Sequence, residues 1–177
     1  GWPLDNAFMI EEEGDSDSDE STAMLNANEK SKMEKDIWLA DSGASSHMTN
    51  TLEGMIDLKD IYSRVKIGNG VYLKAMKVGT KIGNVEQKDG TRMKIKLHNV
   101  KYVPELFCNL ISVTQAMRNG FELHGKMNEI KLSRGKRTYV FDRVIESGKG
   151  ALLGMKITEL ERSEEIEVKK IEKYETY

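Results

Sequence analysis

Short apolar or alternating runs, broken by turn residues, dominate the middle of the chain. Ile37-Trp38-Leu39-Ala40 is a four-residue apolar run that meets Asp41-Ser42-Gly43 at once, which suits a buried strand better than a helix. Arg64-Val65-Lys66-Ile67 alternates and reaches Gly68-Asn69-Gly70, and Val71 to Val78 alternates after it. An Asn-Gly step between alternating runs predicts a hairpin, because both residues tolerate positive φ. Lys81-Ile82-Gly83 and Asn84-Val85-Glu86 continue the pattern, and Asp89-Gly90 marks a second hairpin. Met93-Lys94-Ile95-Lys96-Leu97 alternates apolar and basic, as a strand with one solvent face does. Pro104 ends the next run, since proline cannot donate to a central ladder.

The period changes between Asn109 and Asn119. Leu110, Ile111, Val113, Thr114 and Met117 are spaced for one helical face, and Gly120 follows as a stop, so one short helix is expected there. Further strands are expected at 121–124, 129–132, 137–141 and 151–157. The predicted fold is mostly β: short, closely spaced strands with one helix, which suits a barrel or folded sheet.

Charge and composition set the boundaries. The chain has 177 residues, 32% of them charged and 38% hydrophobic, which fits one modest core with solvated extensions. Seven acids fall in the ten residues Glu11–Glu20, a self-repelling block that predicts a disordered linker. Residues 21–35 are polar with a weak helical lean. From Thr158 the chain is rich in Glu and Lys with a thin apolar stripe, which predicts a solvated helical tail. The expected organisation is an acidic linker at 1–35, a folded domain at 36–157 and a charged tail at 158–177.

These features exclude several function classes. A net charge of -2 gives no global field to gather nucleic acid or an anionic membrane. No apolar run approaches the ~20 residues that span a bilayer. The start, Gly1-Trp2-Pro3-Leu4-Asp5, lacks the regions of a signal peptide and an initiator Met, as a segment of something longer does. The single cysteine, Cys108, rules out a disulfide within the chain and favours a reducing, intracellular and cytoplasmic setting.

Among chemical groups, Asp41 stands out. A carboxylate directly after an apolar strand is presented at a strand-to-turn junction. Gly43 permits a tight turn, Ser42 offers a hydroxyl, and the small Ala44 and Ser45 leave room for a second copy of the loop. Asp-Ser-Gly alone is common in ordinary turns. His47, His98 and His124 share no metal-ligand spacing with each other or with Cys108, so no metal and no cofactor is expected. Ser45 and Ser46 near His47 lack the Gly-x-Ser-x-Gly elbow of a serine nucleophile. Cys108 reads as a small buried apolar residue. The lysines at 94, 96 and 101 read as a solvated basic face without an aromatic platform, so nucleic acid is not an expected partner.

Trp38-Leu39-Ala40-Asp41-Ser42-Gly43-Ala44-Ser45-Ser46-His47-Met48-Thr49 resembles the protease start of copia-type retrotransposon polyproteins. Val65 to Gly70, Leu97 to Pro104 and Cys108 to Val113 follow in that family's order. The resemblance covers roughly residues 36 to 145 and neither tail. It implies a retropepsin-like closed barrel or folded sheet and a homodimeric aspartic endopeptidase, located in a virus-like particle if the element is active. Its substrate would be the polyprotein precursor. By resemblance, Asp41 of each subunit is the catalytic carboxylate, Ser42 braces the loop across the dimer, and Gly43 allows close approach. Ile67, Gly68, Asn69 and Gly70 would form a flap over an extended peptide. Many retropepsins carry two apolar residues and a Gly beside this loop; here Phe107 or Cys108 stands where that Gly is expected. The reading from a different class is an inactive or domesticated relic serving as a dimerisation or peptide-binding module.

Overall fold

The computed structural model describes residues 20–23, 34–148, 150–161 and 163–164. Most of the acidic segment 11–20 and most of the tail 158–177 therefore lie outside the described residues. Twelve strands and one short helix make up the described chain. The mostly-β expectation holds.

Nine strands form one sheet. They are β1 (Glu20–Ala23), β2 (Ile37–Asp41), β3 (His47–Thr49), β4 (Met55–Ile67), β5 (Tyr72–Glu86), β6 (Arg92–Tyr102), β7 (Asn109–Ser112), β11 (Arg143–Ser147) and β12 (Gly150–Thr158). Their order is β1-β4-β5-β6-β3-β7-β2-β12-β11, and β12 also pairs with β5. That second pairing turns the sheet back on itself as a partial ring. A side chain at Gly83 would oppose it: a Cβ there would lie 2.5 Å from Ile157 Cγ2 and 2.8 Å from the Thr158 carbonyl. Three strands, β8 (Glu122–Lys126), β9 (Glu129–Arg134) and β10 (Arg137–Phe141), form a separate sheet in the order β10-β9-β8.

Burial follows the hydrophobic pattern. Every residue of β2 is buried, so its apolar run is continuous rather than alternating. Ile37 and Leu39 join one core cluster, with Met48, Val65, Ile67 and Leu110. Trp38 and Ala40 join a second, with Ile111, Met155 and the small-sheet residues Leu132, Tyr139 and Phe141. The β4–β5 hairpin alternates as predicted: Val65, Ile67 and Ala75 are buried, while Arg64, Tyr72 and Lys74 are exposed.

Two expectations are corrected. Asn109 to Asn119 is not one helix. Asn109–Ser112 is strand β7, and only Val113–Arg118 is helical (α1). The apolar run here is buried on both faces between β2 and β3, so four consecutive residues are inside whatever the period, and spacing does not separate strand from helix. Residues 20–23, which join the end of the acidic block to the start of the stretch read as weakly helical, form β1 and pair in parallel with Arg64–Ile67 of β4. The exposed edge of a long hairpin overrides a weak local preference there.

Candidate functional site

Asp41 is the last residue of β2, and β2 lies parallel to β7 with Asp41 in register with Ser112. Strand alternation puts Asp41 on the side of Leu39 and Ser112 on the side of Leu110, the same core cluster. The chain turns back at Ser42–Ser46 into β3, which pairs with β7 and with β6. Asp41 thus sits at the point where β2, β3 and β7 converge just before α1.

Long-range bonds hold this turn. Asp41 Oδ1 accepts a hydrogen bond from the Gly43 amide at 2.7 Å. The Ser112 hydroxyl donates to the Ala44 carbonyl at 2.6 Å and accepts from the Gln115 amide at 3.0 Å, so one side chain caps α1 and ties down the loop. Thr114 Oγ1 donates to the Ser42 carbonyl. The Ser112 amide donates to His47 Nδ1 at 2.9 Å. Nδ1 is then the acceptor, and the neutral ring carries its proton on Nε2. Gln115 accepts from the His47 amide and donates to the His98 carbonyl. Below the turn, Asn109 Oδ1 accepts from Thr49 Oγ1 at 2.7 Å, and its Nδ2 donates to the carbonyls of Lys35 and Ile37.

The electrostatics follow from burial. Asp41 is fully buried, and its Oδ2 has no hydrogen-bond partner. Desolvation pushes its pKa from the ordinary 3.8 up to about 7, against the lowering effect of the Gly43 and Ala44 amides. His47 is also buried, and desolvation together with the nearby His98 brings its pKa down to about 3. The Cys108 thiol is buried and pushed up, first by desolvation and then by the Asp41 charge, so it is not a nucleophile near neutral pH. Among the described residues, no group of three or more His, Cys, Asp and Glu could hold a metal ion.

The sequence-predicted residues divide. Asp41, Ser42 and Gly43 come together at the end of β2 with Ser112 and His47 beside them. Ile67, Gly68, Asn69 and Gly70 form a hairpin turn. Ile67 is buried in the core cluster that contains Leu39 and Ala44, but Gly68, Asn69 and Gly70 are exposed. None of these three is a hydrogen-bond partner of Asp41. The structure also moves the expected Gly position. The two apolar residues flanking the loop are Leu110 and Ile111, and Ser112 follows them in register with Asp41, so Phe107 and Cys108 lie before that strand.

No site role is expected from sequence for Ser112, Gln115 or Asn109, and His47 enters there only as a metal ligand or serine partner that is set aside. Ser112 had a local signal, as a serine three residues before Gln115 at a helix start. The other three are polar residues whose partners are distant in sequence, and nothing local marks them.

Comparisons with known proteins bear on the same stretch. Residues 38–121 match the family model described as Pol polyprotein, beta-barrel domain. No curated protein matches the chain, and no solved structure does. The matched span runs from β2 through α1 to Phe121 and stops where the small sheet begins; it takes in Asp41, its loop, the β4–β5 hairpin and Ser112. That match supports a retroelement Pol polyprotein as the setting of this chain.

Proposed function

We propose that this chain is one half of an aspartic endopeptidase from a copia-type retroelement polyprotein, active as a homodimer on its own precursor. The observation that carries the reading is Asp41 itself. It is a buried carboxyl with one oxygen bonded to its own turn, the other without a partner, and a pKa raised to about 7. A lone exposed carboxylate ionises near 4 and is a poor base for water. Two carboxyls ~3 Å apart share one proton instead.

In the paired site, the ionised Asp41 takes a proton from water as the water oxygen bonds to the scissile carbonyl carbon. The protonated Asp41 of the second copy gives its proton to the carbonyl oxygen. The tetrahedral diol then collapses: the first Asp41, now protonated, gives its proton to the leaving amine as the C–N bond breaks, and the second, now ionised, takes the proton of the diol oxygen as the carbonyl re-forms. Ser42 braces the loop across the dimer, and Gly43 allows the two loops to approach. The Gly68-Asn69-Gly70 hairpin closes over an extended peptide, held by backbone bonds. In a single chain Asp41 is closed off from solvent, so the mechanism requires the Ser42–Ser46 loop to shift when the second copy docks. The work would take place in the cytoplasm, within a virus-like particle.

The complete burial of Asp41 also favours a second reading, a catalytically inactive module that dimerises or binds peptides. One experiment separates them. A longer precursor spanning this domain is incubated at mildly acidic pH, with and without pepstatin, as wild type and as Asp41→Asn. The protease reading expects cleavage that pepstatin blocks and Asp41→Asn abolishes. Cleavage retained in Asp41→Asn, or a strictly monomeric chain in sedimentation at high concentration, sinks it.

A further inference from the structure

A second site lies on the seam between the matched region and the three-stranded sheet that follows it. A cavity of about 110 Å³ opens there between β6, α1 and the β8–β10 sheet. Its floor is apolar and buried, built from Ile111, Leu132, Tyr139 and Met155. Its remaining lining includes Lys96, His98, Arg134 and Arg137, and no carboxylate. Arg134 is fixed in place: it donates to the Asn119 carbonyl at 2.8 Å and stacks 4.8 Å from the Phe121 ring centre. The lysines of β6, expected to form a solvated face, are thus split, with Lys94 exposed and Lys96 half-buried at this cavity.

We propose that this cavity binds a small amphipathic carboxylate, with a body of about one ring on the apolar floor and its charge held by Lys96 and Arg137. Size sets the body: an engineered cavity of ~150 Å³ takes up benzene, and this one is somewhat smaller. Sign sets the head group, because Lys96, Arg134 and Arg137 are the charged groups of the lining and none of its described residues is a carboxylate. Lys96, His98, Arg134 and Arg137 have interactions within the chain. A guanidinium carries five donors and an ammonium three, so a carboxylate is bound alongside an existing partner rather than in its place. The cavity also touches the buried network, since His47 lines it while its Nδ1 accepts from Ser112. That gives the site an internal reporter. The inference does not rest on the proposed protease activity.

The test uses the full 177-residue chain at pH 7.5. Phenylacetate and its neutral counterpart phenylacetamide are titrated separately, with NMR shifts of the Ile111 and Leu132 methyls and the His47 ring as readout. Phenylacetate is expected to give saturable shifts at these groups, with phenylacetamide at least tenfold weaker. Arg137→Ala should weaken phenylacetate about tenfold and leave the amide unchanged. Ala116→Phe, which fills the cavity, should abolish both. If Ala116→Phe fails to fold, the half-buried Arg137→Ala and Lys96→Met variants still decide the matter. Equal binding of acid and amide, no saturation at tens of millimolar, or full affinity in both charge-removing variants would overturn the proposal.

Discussion

The Asp41–Ser46 loop and the Gly68–Gly70 tip of the β4–β5 hairpin are both built from small and polar residues, yet they are held differently. The hairpin turn closes on itself. The Ile67 amide bonds to the Val71 carbonyl, the Gly70 amide to the Ile67 carbonyl, and the Val71 amide to Asn69 Oδ1. Every partner lies within five residues, and Gly68, Asn69 and Gly70 face solvent. The Asp41 loop also has local bonds, from the Gly43 and Ala44 amides to the Asp41 carboxyl. It adds ties to Ser112 and Thr114, some seventy residues on. A turn held locally is specified by its own sequence. A turn held from afar is specified by the fold, and its buried polar groups are costly if any partner is lost.

The largest effect expected from breaking that contrast is at Asp41. Burial raises its pKa from 3.8 to about 7, so between those values the folded chain binds a proton that the unfolded chain has lost. Stability therefore falls as pH rises through that window, by at most ~4 kcal/mol in all. His47 acts the other way. With a folded pKa of about 3 against 6.5 unfolded, it is neutral in the fold where the unfolded chain is protonated. Its contribution is fully present above 6.5 and is lost as pH falls toward 3. From about pH 4 to 6.5 the two slopes oppose each other in the wild type. Asp41→Asn removes one of them. Urea midpoints measured from pH 4 to 8 should then show the variant gaining on the wild type steadily up to pH 7 and holding its gain above it. A constant difference across that range would mean that Asp41 is not held protonated by burial.

The second effect is at Asn109, beneath the same loop. Asn109→Ala leaves Thr49 Oγ1 without its 2.7 Å acceptor and takes a donor from the carbonyls of buried Ile37 and exposed Lys35. Unsatisfied buried groups cost ~1–3 kcal/mol each, and partial relaxation brings the expected loss to ~3 kcal/mol. Denaturant unfolding reads it directly. A loss below ~1 kcal/mol would show that water replaces the side chain and that the loop is not held from afar.

This contrast also explains what the sequence made legible. The β4–β5 hairpin, the all-buried β2 run before Asp41 and the stop at Gly120 were all readable, because each is written in adjacent residues. Sequence alone makes the β7 strand look like the first turn of α1, because Leu110 and Ile111 are buried on opposite faces and fit either period. The displaced glycine position had the same origin: only the strand register reveals that Ser112, not Phe107 or Cys108, stands beside Asp41. The closing pair of β12 with β5 joins residues seventy or more positions apart, and no local pattern announces it.

The smallest effect belongs to the exposed turn, and it separates structure from function most cleanly. Gly70 has φ +82, and a Cβ there would meet nothing within 4 Å. Gly70→Ala therefore carries only the backbone cost of a left-handed L-residue, ~1 kcal/mol. Gly70→Asn should recover most of it, since asparagine tolerates that conformation. If the hairpin serves only to close β4 onto β5, precursor cleavage by both variants should follow their small stability changes. If it closes over the substrate, an added side chain at the tip meets the bound peptide, and kcat/KM should drop at least tenfold in Gly70→Ala and Gly70→Asn alike. Loss of cleavage without loss of stability would make the exposed turn a functional element. A stability loss in Gly70→Ala as large as that of Asn109→Ala would instead erase the distinction between the two turns, because it would mean that the tip packs against more than solvent.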